Sequence, residues 1–117
     1  MNSTVLIISE ERYDDVGPDD DEGKPEWQYS GFNYWIAVGA QVFEVQVDDN
    51  EPGGALVVRP LDALTLKEAR QLVDYIVSVM GRDIIEFYDP AGRRYRSIEP
   101  QTLEYKTPPK ERGMRDL

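Results

Sequence analysis

Glu10, Glu11, Asp14, Asp15, Asp19, Asp20, Asp21 and Glu22 crowd into one stretch near the start of the chain, with Glu26 just beyond it. Side chains of this type at this density suit three chemistries: holding a hard cation, working as an acid–base pair, or presenting a line of negative charge to a basic surface. Calcium fits poorly. A loop started at Asp19 offers Asp21 at its third position but Gly23 and Lys24 at the fifth and sixth, and Ser30 at the twelfth, where the EF-hand needs a bidentate carboxylate. A start at Asp48 gains Asn50 and the turn glycine Gly53, yet puts Pro52 fifth and Arg59 twelfth. An irregular cation site within 14–22 stays open as an alternative, but no metal and no cofactor are expected.

Paired-carboxylate catalysis can be drawn with Glu44 and Glu86, but a chain with 23 acidic residues always supplies some such pair, and the mechanism needs a separation of roughly 5–10 Å that sequence does not give. Gly53-Gly54 lacks the lysine and the following helix of a phosphate-binding loop and reads as a turn. Cysteine and histidine are both absent, which removes thiolate nucleophiles, cysteine–zinc sites, the commonest general base and the commonest metal ligand. We expect a binding protein and not an enzyme.

Charge is unevenly placed. Residues 1–62 hold 14 Asp/Glu against 3 Lys/Arg, and residues 63–117 hold 9 against 10, so local nets of −11 and +1 sum to −10. Lys and Arg supply most phosphate-backbone affinity, so this balance argues against direct binding to nucleic acid or anionic membrane and for a basic protein or protein complex as partner. Right after the acidic stretch come Trp27, Tyr29, Phe32, Tyr34 and Trp35. Tyr and Trp beside charges are typical of binding hot spots, so Asp14, Asp15, Asp19, Asp20, Asp21, Glu22, Glu26, Trp27 and Tyr29 form the candidate partner-binding set. Core packing competes for the same aromatics, above all for Trp35. Arg94 and Arg96 share one face of a strand, with Arg82 and Arg93 nearby, and form an alternative binding pair for a phosphorylated ligand; pairing with the protein's own carboxylates is the commoner use of such residues.

The elements that must hold these groups follow from pattern. Thr4–Ser9 is a β-rich apolar run, and residues 10–26, with Gly17, Pro18, Gly23 and Pro25 among the carboxylates, predict a long mobile acidic loop. Tyr34–Val38 and Gln41–Val47 flank Gly39-Ala40 as a hairpin whose Phe43, Val45 and Val47 share a face. A short strand is expected over Ala55–Arg59. Thr65 and Glu68 form a capping box ahead of an apolar stripe from Leu66 to Met80, and Gly81 follows, which predicts a helix over 66–80. Asp83–Tyr88 and Arg93–Ile98 flank Asp89-Pro90-Ala91-Gly92 as a second hairpin.

The expected architecture is α+β: an antiparallel sheet of about five or six strands, made of two hairpins and an N-terminal strand, packed on one helix. A single domain over 1–100 and an extended or disordered charged tail over 101–117 complete it. No basic leader region or long apolar run is seen, so a cytoplasmic protein is expected. In size and charge, though by no motif, the chain is similar to small acidic inhibitors such as bacterial immunity proteins and phage-encoded inhibitors. A nucleotide- or metabolite-binding domain is the second reading, and an assembly subunit, for example a homodimer through an exposed strand edge, the third.

Overall fold

Seven strands lie side by side in chain order, β1 (Val5–Val16), β2 (Gln28–Val38), β3 (Gln41–Asp48), β4 (Gly54–Val57), β5 (Ile84–Asp89), β6 (Arg94–Glu99) and β7 (Glu104–Tyr105). Among the described residues one α-helix, α1 (Leu66–Ser78), preceded by a short 3-10 turn over Leu61–Ala63, covers one face of the sheet. This computed structural model describes residues 5–25 and 28–106. Residues 1–4, Glu26, Trp27 and residues 107–117 lie outside the described residues, and with them Thr4 of the expected first strand, two of the candidate binding residues and the far end of the expected tail.

The sheet is α+β and mostly antiparallel, with more strands than expected and one parallel pair. β4 and β5 run parallel, in register from Gly54 with Ile84 to Val57 with Phe87. The cause is the connection, since parallel neighbours need a crossover and α1 supplies it. The helix starts where the capping box places it. Thr65 Oγ1 accepts from the Glu68 amide at 3.1 Å, and Glu68 Oε1 accepts from the Thr65 amide at 2.9 Å. It ends at Ser78 with Val79 as cap, and Gly81 leaves in the left-handed region at φ 71°.

Ala69, Leu72, Val73 and Ile76 of α1 bury against Ile36, Phe43, Val45, Val57, Ile85, Phe87 and Ile98 of the sheet. Each fully buried aliphatic or aromatic side chain contributes roughly 1.5–3 kcal/mol, so this layer holds the domain together. Phe43, Val45 and Val47 share the buried face, as their alternation predicts.

Two expectations need correction. The acidic segment is not a loop throughout 10–26: Glu10–Val16 continue β1 and pair with Gln28–Tyr34, so the carboxylates of that half belong to a strand. The tail does not begin at 101 either. Residues 101–103 form a turn, with Leu103 buried, and Glu104–Tyr105 pair with Glu99 and Ile98 as β7. Apolar residues at Leu103 and Tyr105 reach back to the core and draw the backbone with them.

Candidate functional site

Beyond the last β2–β3 pair, Gly31 with Asp48, strands β1 and β2 continue alone as a two-stranded arm from Asp14 with Ser30 to Val16 with Gln28. The arm ends in a turn closed by an Asp19–Pro25 bridge. Asp20 organises that turn. Its Oδ1 accepts from the amides of Glu22 at 2.8 Å and Lys24 at 3.0 Å, so one of the candidate carboxylates is partly spent on structure. Asp14, Asp15, Asp19, Asp20, Asp21 and Glu22 are all exposed; Asp15 lies on the open side with Tyr13, Asp14 on the helix side 3.7 Å from Arg12, and the other four sit in the turn at the tip.

A β-bulge between Ile7 and Ser9 decides which way the rest of β1 faces. Before it, Val5 and Ile7 pack on the core; after it, Arg12 points to the helix side and Glu11, Tyr13 and Asp15 to the open side. Arg12 stacks 5.2 Å from the Phe32 ring centroid and bonds Asp49 Oδ2 at 2.8 Å, so it neutralises charge away from the open face. The hydrogen bond to Asp49 raises its already high pKa further.

One row of register partners crosses six strands on the open face: Glu11, Asn33, Gln46, Leu56, Glu86 and Ser97. Beside it lies Tyr13, whose hydroxyl donates to the Val47 carbonyl at 3.1 Å. The crossing is possible because Gly31 lies between. A Cβ there would collide with the Val47 carbonyl oxygen and stand 2.8 Å from the Tyr13 hydroxyl oxygen.

Two adjoining depressions open around this row. One, about 230 Å³, is lined by Tyr13, Asp48, Glu51, Ile84, Glu86 and Tyr95 among others. The second, about 330 Å³, is lined by Tyr13, Asp15, Tyr29, Asn33, Gln46 and Asp48. Asn33 Oδ1 is buried and, among the described residues, without a hydrogen-bond partner. Burial first, then the fields of Asp48, Asp49 and Asp15, push the Tyr13 phenol above its ordinary pKa, against a smaller opposing effect of Arg12.

The aromatic group divides between the two faces. Phe32 and Tyr34 stack at 5.8 Å between centroids and pack against the core. Trp35, weighed above as core, pairs in register with Glu44 on the open side and is half-buried. Tyr29 is 53% exposed beside the arm and lines the larger depression. Arg94 and Arg96 lie elsewhere. They share the helix-side face of β6, with the Arg96 guanidinium 3.7 Å from the Tyr105 ring centroid and Arg94 opposite Asp89. The structure therefore does not bring them into the depression that Tyr29 lines.

Sequence reasoning identified the arm carboxylates and Tyr29 but missed Tyr13, Asn33, Gln46 and Asp48. A polar set alternating with a buried one along β3 was a signal for the last two; Tyr13 was hidden by the bulge. Among the described residues no group of three or more carboxylates is placed to hold a metal ion, and no helix is long and apolar enough to cross a membrane. The chain matches no family model, no curated protein and no solved structure. Its function is therefore read from the site.

Proposed function

We propose that this chain is a small acidic binding protein, of the immunity-protein or phage-inhibitor kind, that masks a basic, nucleic-acid-binding surface of a partner protein in the cytoplasm. The observation that supports it is the projecting arm with exposed carboxylates on its β1 strand, Asp14 and Asp15, and at its tip, Asp19, Asp20, Asp21 and Glu22. Binding and not catalysis is the role. Charge complementarity of this kind mainly raises the association rate and suppresses wrong partners, while Tyr29 and, in this reading, Trp27 slow dissociation.

The test begins with a pull-down at roughly 50 and 200 mM salt, since charge-driven binding weakens across that range. The recovered partner is then assayed for nucleic-acid binding by mobility shift. The proposal expects the protein to displace nucleic acid and the Asp19→Asn/Asp20→Asn/Asp21→Asn variant to do so less well. A partner that binds nucleic acid equally in its presence contradicts it.

A further inference from the structure

We propose that the open face of the sheet docks an arginine side chain of a basic protein partner in the paired depressions around Tyr13 and Asp48. The inference rests on the binding role proposed above and places the anchor on the sheet, beside the arm.

Charge sets the class of occupant. By register, the open-face positions of β1–β6 carry Glu11, Asp15, Glu44, Asp48, Glu86 and Glu99 and neither Lys nor Arg, whereas the strand arginines Arg12, Arg94 and Arg96 all face the helix side. Among the described residues outside the strands, Arg82 donates to the Glu51 and Gly54 carbonyls at 3.1 and 3.0 Å beside the smaller depression, and Lys106 lies 3.9 Å from Glu99, but neither lines the larger depression. A face of one sign repels a second copy of itself and repels phosphates, and it attracts a cation.

Shape and chemistry narrow the cation to a guanidinium. The larger depression offers the Asp15 and Asp48 carboxylates, the phenol rings of Tyr13 and Tyr29, and the buried Asn33 oxygen that no donor among the described residues satisfies. A planar group with five N–H donors can stack on a ring while it bonds a carboxylate and an amide oxygen in its own plane. An ammonium can meet the charges but not the stacking and the fork together. Tyr13 is held in place for this by its bond to Val47, so the ring is ordered before a ligand arrives.

The test is a ¹⁵N–¹H NMR titration of the full chain with an acetylated, amidated Gly-Arg-Gly peptide and its Gly-Lys-Gly counterpart. The expected result is saturable shifts at the Asn33 side-chain amide and at Gln46 and Asp48, with the arginine peptide roughly fivefold tighter than the lysine one. Asp15→Asn/Asp48→Asn should weaken arginine binding about five- to tenfold, and Asn at 48 keeps the oxygen that accepts from the Asn50 amide, so the turn survives. The Asp19→Asn/Asp20→Asn/Asp21→Asn variant should bind the peptide within about twofold of the wild type, because the tip carboxylates do not line the depressions. Shifts confined to 19–22, equal affinity for both peptides, or no effect of Asp15→Asn/Asp48→Asn overturns the inference. The first of these leaves the arm's role standing. Failure of the displacement assay beside a positive titration would remove the masking role while keeping the arginine site.

Discussion

The Tyr13 hydroxyl on β1 donates to the Val47 carbonyl on β3 at 3.1 Å, spanning the strand between them at Gly31. This bond couples the edge strand to the third strand at the root of the arm, and it fixes the ring that both depressions share. Gly31→Ala should therefore cost more than the hydrogen bond alone. A Cβ at 31 meets backbone, which cannot rotate away, so we expect a loss of about 2–4 kcal/mol against about 1 kcal/mol for Tyr13→Phe. Urea unfolding midpoints of the two variants check the order; equal losses would contradict it.

Alkaline pH should weaken the fold through the same residue. The folded state holds the Tyr13 proton more tightly than the unfolded chain does, because burial and then Asp48, Asp49 and Asp15 disfavour the phenolate. The stability this confers is present in full below the ordinary tyrosine value of about 10 and is lost as pH rises through the higher folded value. Urea midpoints measured from about pH 9 to 11 should fall more steeply for the wild type than for Tyr13→Phe. Parallel slopes would show that Tyr13 titrates normally.

At the helix start, Thr65→Ala removes the acceptor for the Glu68 amide and should cost about 1 kcal/mol, with Thr65→Ser nearly neutral. For a chain of this size about 1 kcal/mol corresponds to a fall of roughly 3–6 °C in melting temperature, within reach of a thermal scan. An unchanged Thr65→Ala melting temperature would mean the box contributes nothing.

Arg70 should act as a clamp between helix and sheet edge. Its guanidinium donates to the Pro100 carbonyl at 2.9 Å and the Gln101 carbonyl at 2.7 Å, just before β7. Arg70→Lys keeps the charge but cannot hold both carbonyls in one plane. Faster amide exchange at Leu103 and Lys106, whose amides bond Glu99 and Ser97, is the expected outcome, with β2 and β3 unaffected. Unchanged exchange at these two amides would show that the turn stands without the clamp.

The elements with a strong local signal were legible from the residues. Phe43, Val45 and Val47 show alternation because one face of β3 is buried, and Thr65 with Glu68 marks a helix start because both hydrogen bonds are local. The outer half of β1 was not legible. Glu10–Val16 have no buried face to produce alternation, and their strand state comes from pairing with a distant segment, Gln28–Tyr34. The parallel β4–β5 pair is non-local for the same reason, with a whole helix between its members. The candidate site was half legible: composition exposed the acidic arm, while the open-face set of Tyr13, Asn33 and Asp48 depends on the bulge after Ile7 and on the register of three strands, which no local pattern encodes.

The central claim is that the arm steers a basic partner, and the most direct measurement is the salt dependence of the association rate with the purified partner. For the wild type the rate should fall steeply between roughly 50 and 200 mM salt. Asp19→Asn/Asp20→Asn/Asp21→Asn should associate about tenfold more slowly at the low-salt end and show a flatter dependence, with the dissociation rate little changed. Identical association rates for the two proteins across that range would contradict the account.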